Sequence, residues 1–514
     1  MLNLSQLRHE TLLPMFKRKL NRSVLNVTLG LVSYLWLHTN VHANVQGVGT
    51  HKTTQNPQAN IVFIMLDDWG WQDAAFMGSD YYLTPNIDKL ANTSYRFNQA
   101  YSASPNCAPT RAAFMSGQYS QRTGIFTVKS AARGKSQHRR LIPSTNNTVL
   151  ADDVITLAES LKNAGYQTAF MGKWHLGAGD EGGPLVQGFD INIGGNHTGT
   201  PKSYFSPYKN ATIKDGPNGE YLPDRLSQEA ANYIKADHDN PFFLYLSHYA
   251  VHTPMKAPQA SINKHKNRQG NKYHNNPIYA AMIEHSDNSV ANVLKALEEK
   301  GIADNTWVIL TSDNGGHHGI TQAPDLRGAK GMFYEGGLRV PLLIKAPKQQ
   351  TQQVIETPVS TLDFYPTLLA ISQGKLPSKQ VLDGDNILPL LANKPFNRDA
   401  MYFHFPGYLE GGKHSKNLWR NTPSSMIRMG DYKLIEYFEY GQLELYNLAN
   451  DLKESKNLAL IEPEVTARLY RKLQAWRKNT HAPVPIEFNS EFDNKYQLHR
   501  DSYVTWQQVQ QQLL

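Results

Sequence analysis

Five short apolar runs limit what this chain can fold into. They are "IVFIML" (61–66), "TAFM" (168–171), "FFLYLS" (242–247), "WVILTS" (307–312) and "VPLLIK" (340–345). A strand with one wet face alternates polar and apolar residues, so unbroken runs belong to strands covered on both sides. Helical patterns lie between them. Residues 152–164 place Val154, Leu157, Ala158 and Leu161 on one face ahead of Gly165, and 277–300 carries Val290, Val293, Leu294 and Leu297 ahead of Gly301. This alternation predicts an α/β fold, a large mainly parallel sheet sandwiched by helices.

The pattern changes between Asn393 and Asn397. Aromatic stretches follow, "AMYFHF" (400–405), "SSMIRMGDYKLIEYF" (424–438) and "LELYNL" (443–448), and then a helical stripe in 462–478 through Val465, Leu469, Leu473 and Trp476. They predict a smaller C-terminal α+β domain built on an antiparallel sheet. A chain of 514 residues exceeds the size one hydrophobic core serves, so two domains are expected. The expected division is a large domain over 44–395, the C-terminal subdomain over 396–480, and a tail over 481–514 whose pattern predicts nothing.

Residues 1–43 read as an address. "FKRKLNR" (16–22) is a positive n-region, "SVLNVTLGLVSYLWL" (23–37) an apolar core, and "VHA" (41–43) a small-residue cleavage site. The apolar core is shorter than the ~20 residues that span a bilayer and contains Asn26 and Thr28. The expectation is a signal peptide, no stable membrane insertion, and a periplasmic or secreted product. The formal charge is +8, but basic residues are scattered and no nucleic-acid-binding signature is present. That argues against nucleic acid and leaves a polyanionic substrate, which a basic surface would steer.

In open α/β sheets ligands bind beyond the carboxyl ends of the strands. Asp67 and Asp68 follow the first run, Lys173 and His175 the second, His248 and His252 the third, Asp313 and Asn314 the fourth. Singly, such residues are caps or loop residues. Together they are a set, because adjacent carboxylates at a buried strand end repel unless a cation or proton separates them. Asp67, Asp68, Asp313 and Asn314 offer oxygen alone, which suits Ca²⁺ or Mg²⁺ better than zinc.

Cys107 is the only cysteine, so it has no internal disulfide partner. Pro109 favours a helix start, and "TRAAFMSG" continues helically. Cys107 is therefore expected just ahead of a helix N-terminus, where the macrodipole favours an anion, with Arg111 in the first turn. A plain cysteine nucleophile, with His175 or His252 as base, is one reading of that position.

Cys107, Pro109 and Arg111 spell C-x-P-x-R, and here the chain resembles the formylglycine-dependent sulfatases of the alkaline-phosphatase superfamily. The resemblance extends through "IVFIMLDDWGW" (61–71), "TPNIDKLA" (84–91), "NCAPTRAAFMSGQY" (106–119), "YQTAFMGKWHLG" (166–177), "FFLYLSHYAVHTP" (242–254), "LTSDNGG" (310–316), "LRGAKGMFYEGGLRVPLLI" (326–344) and "LYNLANDLKESKNLA" (445–459). Thr110 stands where that family has serine. The resemblance implies an alkaline-phosphatase-like fold. It also implies that a maturation enzyme converts Cys107 to formylglycine (3-oxoalanine), whose hydrate attacks sulfur, so that a disulfide partner would spoil the residue. By the same resemblance Asp67, Asp68, Asp313, Asn314 and residue 107 match the family's ligands to one Ca²⁺. Arg111 would hold the hydrate, and Lys173 and Lys330 would clasp sulfate oxygens. His175 resembles the general base, and His252 the acid that protonates the leaving oxygen, with Lys330 as an alternative acid. His248, His317 and His318 carry no implied role beyond tuning the pocket, with His317 and His318 as candidate substrate contacts.

The expected function is sulfate-ester hydrolysis, on sulfated polysaccharide or oligosaccharide. The alternatives are a phosphomonoester or phosphonate hydrolase on the same scaffold, or a non-catalytic relative that binds sulfated glycans. A two-zinc phosphatase would want further His or Asp ligands where Lys173 and His175 stand.

Overall fold

Strand β1 (Asn60–Leu66) shows why its apolar run is unbroken. Ile61, Phe63 and Met65 enter one hydrophobic core, and Val62, Ile64 and Leu66 enter another on the opposite face. The computed structural model describes residues 58–411, 418–497 and 503–514; the expected signal peptide, 1–43, lies outside the described residues. Eight further strands complete the main sheet: β2 (Tyr95–Tyr101), β3 (Gln167–Gly172), β4 (Ile191–Ile193), β5 (Phe242–Ser247), β6 (Thr306–Ser312), β7 (Arg339–Lys345), β8 (Gln353–Ile355) and β9 (Val359–Ser360). Their order is β4-β3-β5-β1-β6-β7-β2-β8, with β9 beside β2. The run from β4 to β6 is parallel, while β7 is antiparallel to β6 and β2 antiparallel to β7. Strand β2, "YRFNQAY", was not expected; it alternates and is half polar, having one partly exposed face.

Helices Leu222–Lys235 and Pro277–Lys300 cover one face. Helices Cys107–Ser116, Leu157–Asn163 and Phe364–Ile371 cover the other. The second of these begins later than the 152–164 pattern indicates. Thr156 and Glu159 form a reciprocal capping box, so the chain turns helical only at Leu157, and Val154 sits in the preceding turn.

Parallel register decides where the strand ends fall. Met65 pairs with Ser247, Leu66 with Ser312, and Gly172 with Ser247. The residues that follow, Asp67, Lys173, His248 and Asp313, therefore leave the sheet at one level. Gly172 is required here: its φ is +110°, and a Cβ would lie 1.8 Å from the Ser247 carbonyl oxygen. The ladder continues past the strand tips, with the Lys173 amide donating to Ser247 O and the Asp313 amide to Leu66 O.

The C-terminal aromatic stretches form β10 (Met401–Phe405), β11 (Leu409–Glu410), β12 (Trp419–Asn421), β13 (Ser424–Met429), β14 (Tyr432–Tyr437) and β15 (Gln442–Asn447). Strands β10-β13-β14-β15 make an antiparallel sheet, and β11 pairs with β12. The stretch 424–438 is two strands, because Gly430 at φ +58° turns the chain between them. One face of this sheet, with Ile427, Leu434 and Leu445, meets helix Pro463–Asn479 through Leu469 and Leu473. The other, with Met426 and Ile435, packs on Phe333, Leu338 and Tyr101 of the main sheet's layer. The tail is placed by long-range contacts. The Ile142 amide donates to Glu487 O, Leu141 bridges Phe488, and helix Trp506–Gln512 packs Val509 beside Leu469 and Leu473. No helix of the described residues is long and apolar enough to cross a membrane.

Candidate active site

Cys107 sits at the carboxyl edge of the sheet, fully buried, as the first residue of helix Cys107–Ser116. The expectation had placed it just ahead of that helix. Asn106 is the last extended residue (φ −136°, ψ 152°), so the helix starts two residues before Pro109. Pro109 is tolerated there because a first-turn N–H has no intrahelical acceptor to lose. The approach to the helix is pinned by Thr110, whose hydroxyl donates to Ser104 O and accepts from the Ser104 amide.

Three cations and three carboxylates surround the thiol, all buried. Lys173 Nζ is 2.5 Å from Asp67 Oδ2, Lys330 Nζ is 2.5 Å from Asp68 Oδ1, and Arg111 Nη2 is 2.8 Å from Asp313 Oδ2. Lys330 Nζ also reaches Cys107 Sγ at 3.1 Å. Burial opposes the thiolate, but the Lys173 and Lys330 charges bring the thiol down to about 6. Burial and the neighbouring Asp313 charge push Asp67 well above the ordinary carboxylate range, against the pull of Lys173. Asp68 goes the other way: burial would raise it, yet Lys330 and then His252 hold it far below. Carboxylates pushed in opposite directions mark a site where negative charge is crowded.

Arg111 lies one turn along from Cys107 but points beneath it. Its Nη1 donates to Lys173 O at 2.7 Å and also to Ser247 Oγ, and its Nε to Asp313 Oδ2 at 2.9 Å. It ties three strand ends together. Asp68 and His175 both have left-handed backbone, with φ of 62° and 68°. Such conformations are costly for residues with a Cβ and concentrate at functional sites.

Ligand atoms of Asp67, Asp68, Cys107 and His252 all lie within 4.8 Å of one another. Asn314 joins them through its Nδ2, which donates to Asp68 Oδ1 at 2.8 Å. Asp313 stands at the edge of this group, with Oδ1 accepting from the Asp68 amide at 3.3 Å and Oδ2 held by Arg111. Asp67 Oδ1, Asp68 Oδ2 and Asn314 Oδ1 are buried oxygens without a hydrogen-bond partner. Unpaired buried acceptors on neighbouring side chains are the condition a cation relieves.

His252 Nδ1 donates to Thr253 O at 2.6 Å, so Nε2 faces Asp68 Oδ2 at 3.7 Å. Burial and Lys330 disfavour its protonation, but Asp67 and Asp68 outweigh them and raise its pKa. His175 is the opposite case. Burial, with Lys173 next, drives it well below its ordinary value, and its Nδ1 has no partner. His248 does not line the cavity above this floor; it is buried, with Nε2 2.8 Å from Ser289 Oγ. His317 lines the cavity with Nδ1 donating to His318 O, and His318 does not line it.

Above this floor opens a cavity of about 650 Å³. Among the described residues Lys129, Arg133, His197 and Arg420 line it, and no Asp or Glu does. Sequence reasoning missed these four. They sit on loops and on β12, with no strand-end position or motif to mark them.

A buried, charge-balanced floor that crowds acceptor oxygens beside an activated side chain is the site of a hydrolase for anionic esters. Comparison with known proteins narrows that class. The family model "Sulfatase" matches residues 59–374, and the model "N-sulphoglucosamine sulphohydrolase, C-terminal" matches 328–479. A "Sulfatase" of Formosa agariphila is 36% identical over 85% of this chain and 91% of its own. Human N-acetylgalactosamine-6-sulfatase is 31% identical over 74% of each chain. Among solved structures, Ps i-CgsB in complex with k-i-k-neocarrahexaose superposes with a TM-score of 0.70 at 29% identity, covering 84% of this chain and 95% of that one. The chain belongs to the sulfatase family. It is an enzyme, a sulfuric ester hydrolase.

Proposed function

We propose that this enzyme removes sulfate from sulfated poly- or oligosaccharides, using a formylglycine made from Cys107 and one bound Ca²⁺. The observation that carries the reading is the floor, where Lys173, Lys330 and Arg111 pair with Asp67, Asp68 and Asp313 around residue 107. The carbohydrate part is supported by the relatives, one named for a sulfated amino sugar and one complexed with a neocarrahexaose. Asp67, Asp68, Asp313 and Asn314 would hold the ion beside residue 107, since the side-chain oxygens they offer form an all-oxygen donor set and those of Asp67, Asp68 and Asn314 include buried acceptors without a partner. When bound, Ca²⁺ supplies Lewis-acid polarisation, and the hydrated aldehyde supplies the attacking oxygen.

The chain's own residues do the rest. Lys173 and Lys330 sit where sulfate oxygens arrive and offset the charge that builds on them in a dry site. His175, kept neutral by burial and the cations around it, accepts a proton at its free Nδ1. His252, whose Nδ1 is held on Thr253 O, has Nε2 left to donate to the departing oxygen. Arg111 fixes Asp313 and the ends of β3 and β5, and so positions the floor. We also infer export to the periplasm or medium, from the leader-like residues 1–43, and a dedicated maturation enzyme acting on C-x-P-x-R.

The test is release of sulfate and phosphate measured side by side from the 4-nitrophenyl esters, on protein whose intact mass shows residue 107 converted. Sulfate release in large excess, followed by desulfation of an oligosaccharide seen by mass, is expected. Dominant phosphate release would favour the phosphohydrolase reading. Glycan binding without turnover by matured protein would favour a binding relative.

A further inference from the structure

The charges on the cavity wall do not balance as those of the floor do. On the floor each cation has a carboxylate, but Arg133 and Arg420 have no ion-pair partner among the described residues. Both line the same cavity as Cys107, Lys330, His175 and His252. Their hydrogen bonds go to backbone carbonyls: Arg133 Nη2 donates to Val128 O at 2.6 Å, and Arg420 Nε to Glu410 O at 2.8 Å. Each bond uses one guanidinium nitrogen and leaves other donors of the fork available.

The position of these side chains is built rather than incidental. Arg420 is carried by β12 and lies over Gly331, with Cδ 3.7 Å from where a Cβ would stand, so it overhangs the Lys330 turn. Arg133 lies on a loop fixed to the same region. The Tyr408 amide donates to Ala131 O, Ala132 bridges Tyr408, and Arg139 Nη1 donates to Arg133 O at 3.1 Å. Trp419 packs against Gly134. Burial, and then the Arg133 charge, push the Arg420 guanidinium below its ordinary value, while Asp68, residue 107 and Glu410 attract it. Glu410 offsets part of the repulsion between these two half-buried guanidiniums, and an anion entering the cavity between them would offset more.

We propose that Arg133 and Arg420 form a second anion subsite on the cavity wall, which selects a carbohydrate bearing a further sulfate or carboxylate beside the ester that is cleaved. The inference rests on the sulfatase reading and goes beyond it by stating a charge pattern for the substrate. The floor clasps the scissile sulfate through Lys173 and Lys330. The wall clasps a second anionic group through guanidinium forks, which match sulfate and carboxylate alike. Singly charged esters would use the floor alone.

The experiment is calorimetric binding to the full chain with residue 107 left as cysteine, so the result does not depend on turnover. Three oligosaccharide probes are compared: one sulfate per disaccharide, two sulfates, and one sulfate plus a uronate carboxylate. Wild type is expected to bind at least one doubly charged probe about tenfold more tightly than the singly charged one. Which of the two it prefers identifies the second group. Arg133→Met and Arg420→Met are each expected to bring that ratio towards one, while Arg420→Lys keeps most of it. The thermal transitions of the variants are compared with wild type so that misfolding is not read as lost selectivity. No charge preference in wild type, or a ratio preserved in folded Met variants, overturns the subsite. Failure of matured wild type to release sulfate from any ester overturns the sulfatase reading instead.

Discussion

Lys433→Met tests how the C-terminal sheet is held against the site. Lys433 Nζ on β14 lies 3.0 Å from Glu335 Oε1 and 2.8 Å from Glu454 Oε1, and all three side chains are fully buried. Glu335 belongs to the segment 328–338 that also carries Lys330, and its amide donates to Glu454 Oε2 at 2.7 Å. Removing the cation leaves two buried carboxylates facing each other, a change that costs about 3–5 kcal/mol. The pH dependence follows from the two shifts. Burial raises Glu454 from 4.5 to about 7, partly offset by Lys433, so its contribution to stability is full below 4.5 and lost as pH rises through about 7. For Glu335 burial acts upward too, but Lys433 and then Arg339 bring it down to about 2, so its contribution is full above 4.5 and lost as pH falls through about 2. Without Lys433 the Glu454 shift grows and the Glu335 shift shrinks. The penalty should therefore be largest near about pH 8 and fall to about half near about pH 5.5, where Glu454 is already protonated with or without Lys433. Denaturant unfolding followed by circular dichroism at the two pH values measures it, and sulfate release reports whether Lys330 has been displaced. The double variant Lys433→Met/Glu454→Gln should recover at least half of the loss, since Glu335 keeps Tyr101 and Arg339 beside it. A penalty under about 1 kcal/mol at about pH 8, or no recovery in the double variant, would refute the reasoning.

Cys107→Ala should reduce turnover to background with an unchanged circular dichroism spectrum, because one small side chain at a helix start is replaced; near-normal activity would remove residue 107 from the chemistry. Chelation by EDTA should abolish sulfate release and Ca²⁺ should restore it, with a fall and recovery of the thermal midpoint. Activity that persists in protein shown free of metal by elemental analysis would count against the unpaired oxygens of Asp67, Asp68 and Asn314 as a cation site. Gly172→Ala should destabilise by about 2–5 kcal/mol, since the new methyl meets the Ser247 carbonyl and φ is +110°; a midpoint within error of wild type would show that the strand tips can separate.

Much of this protein could be read from residue order alone. Unbroken apolar runs required strands covered on both faces, and β1 divides its side chains between two cores as that argument demands. Strand-end carboxylates and C-x-P-x-R marked Asp67, Asp68, Cys107, Arg111, Lys173 and Asp313 because local pattern and topology coincide there. Other features depended on partners distant in sequence. Whether Cys107 lies inside the helix was set by Asn106 staying extended, and Arg111 turned under the helix because Asp313, Ser247 and Lys173 O meet there. Strand β2 escaped notice because its alternation reflects what covers it, and the continuity of "IVFIML" is absent from "YRFNQAY". The wall arginines carried no signal, since Arg133 and Arg420 are 287 positions apart and acquire meaning only when β12 brings them to one cavity. Sequence fixes what is short-range or periodic, namely propensity, strand identity and motif spacing. Which charges are paired, and which are left facing an empty space, is decided by long-range packing, because burial and Coulomb interaction depend on distance in space rather than along the chain.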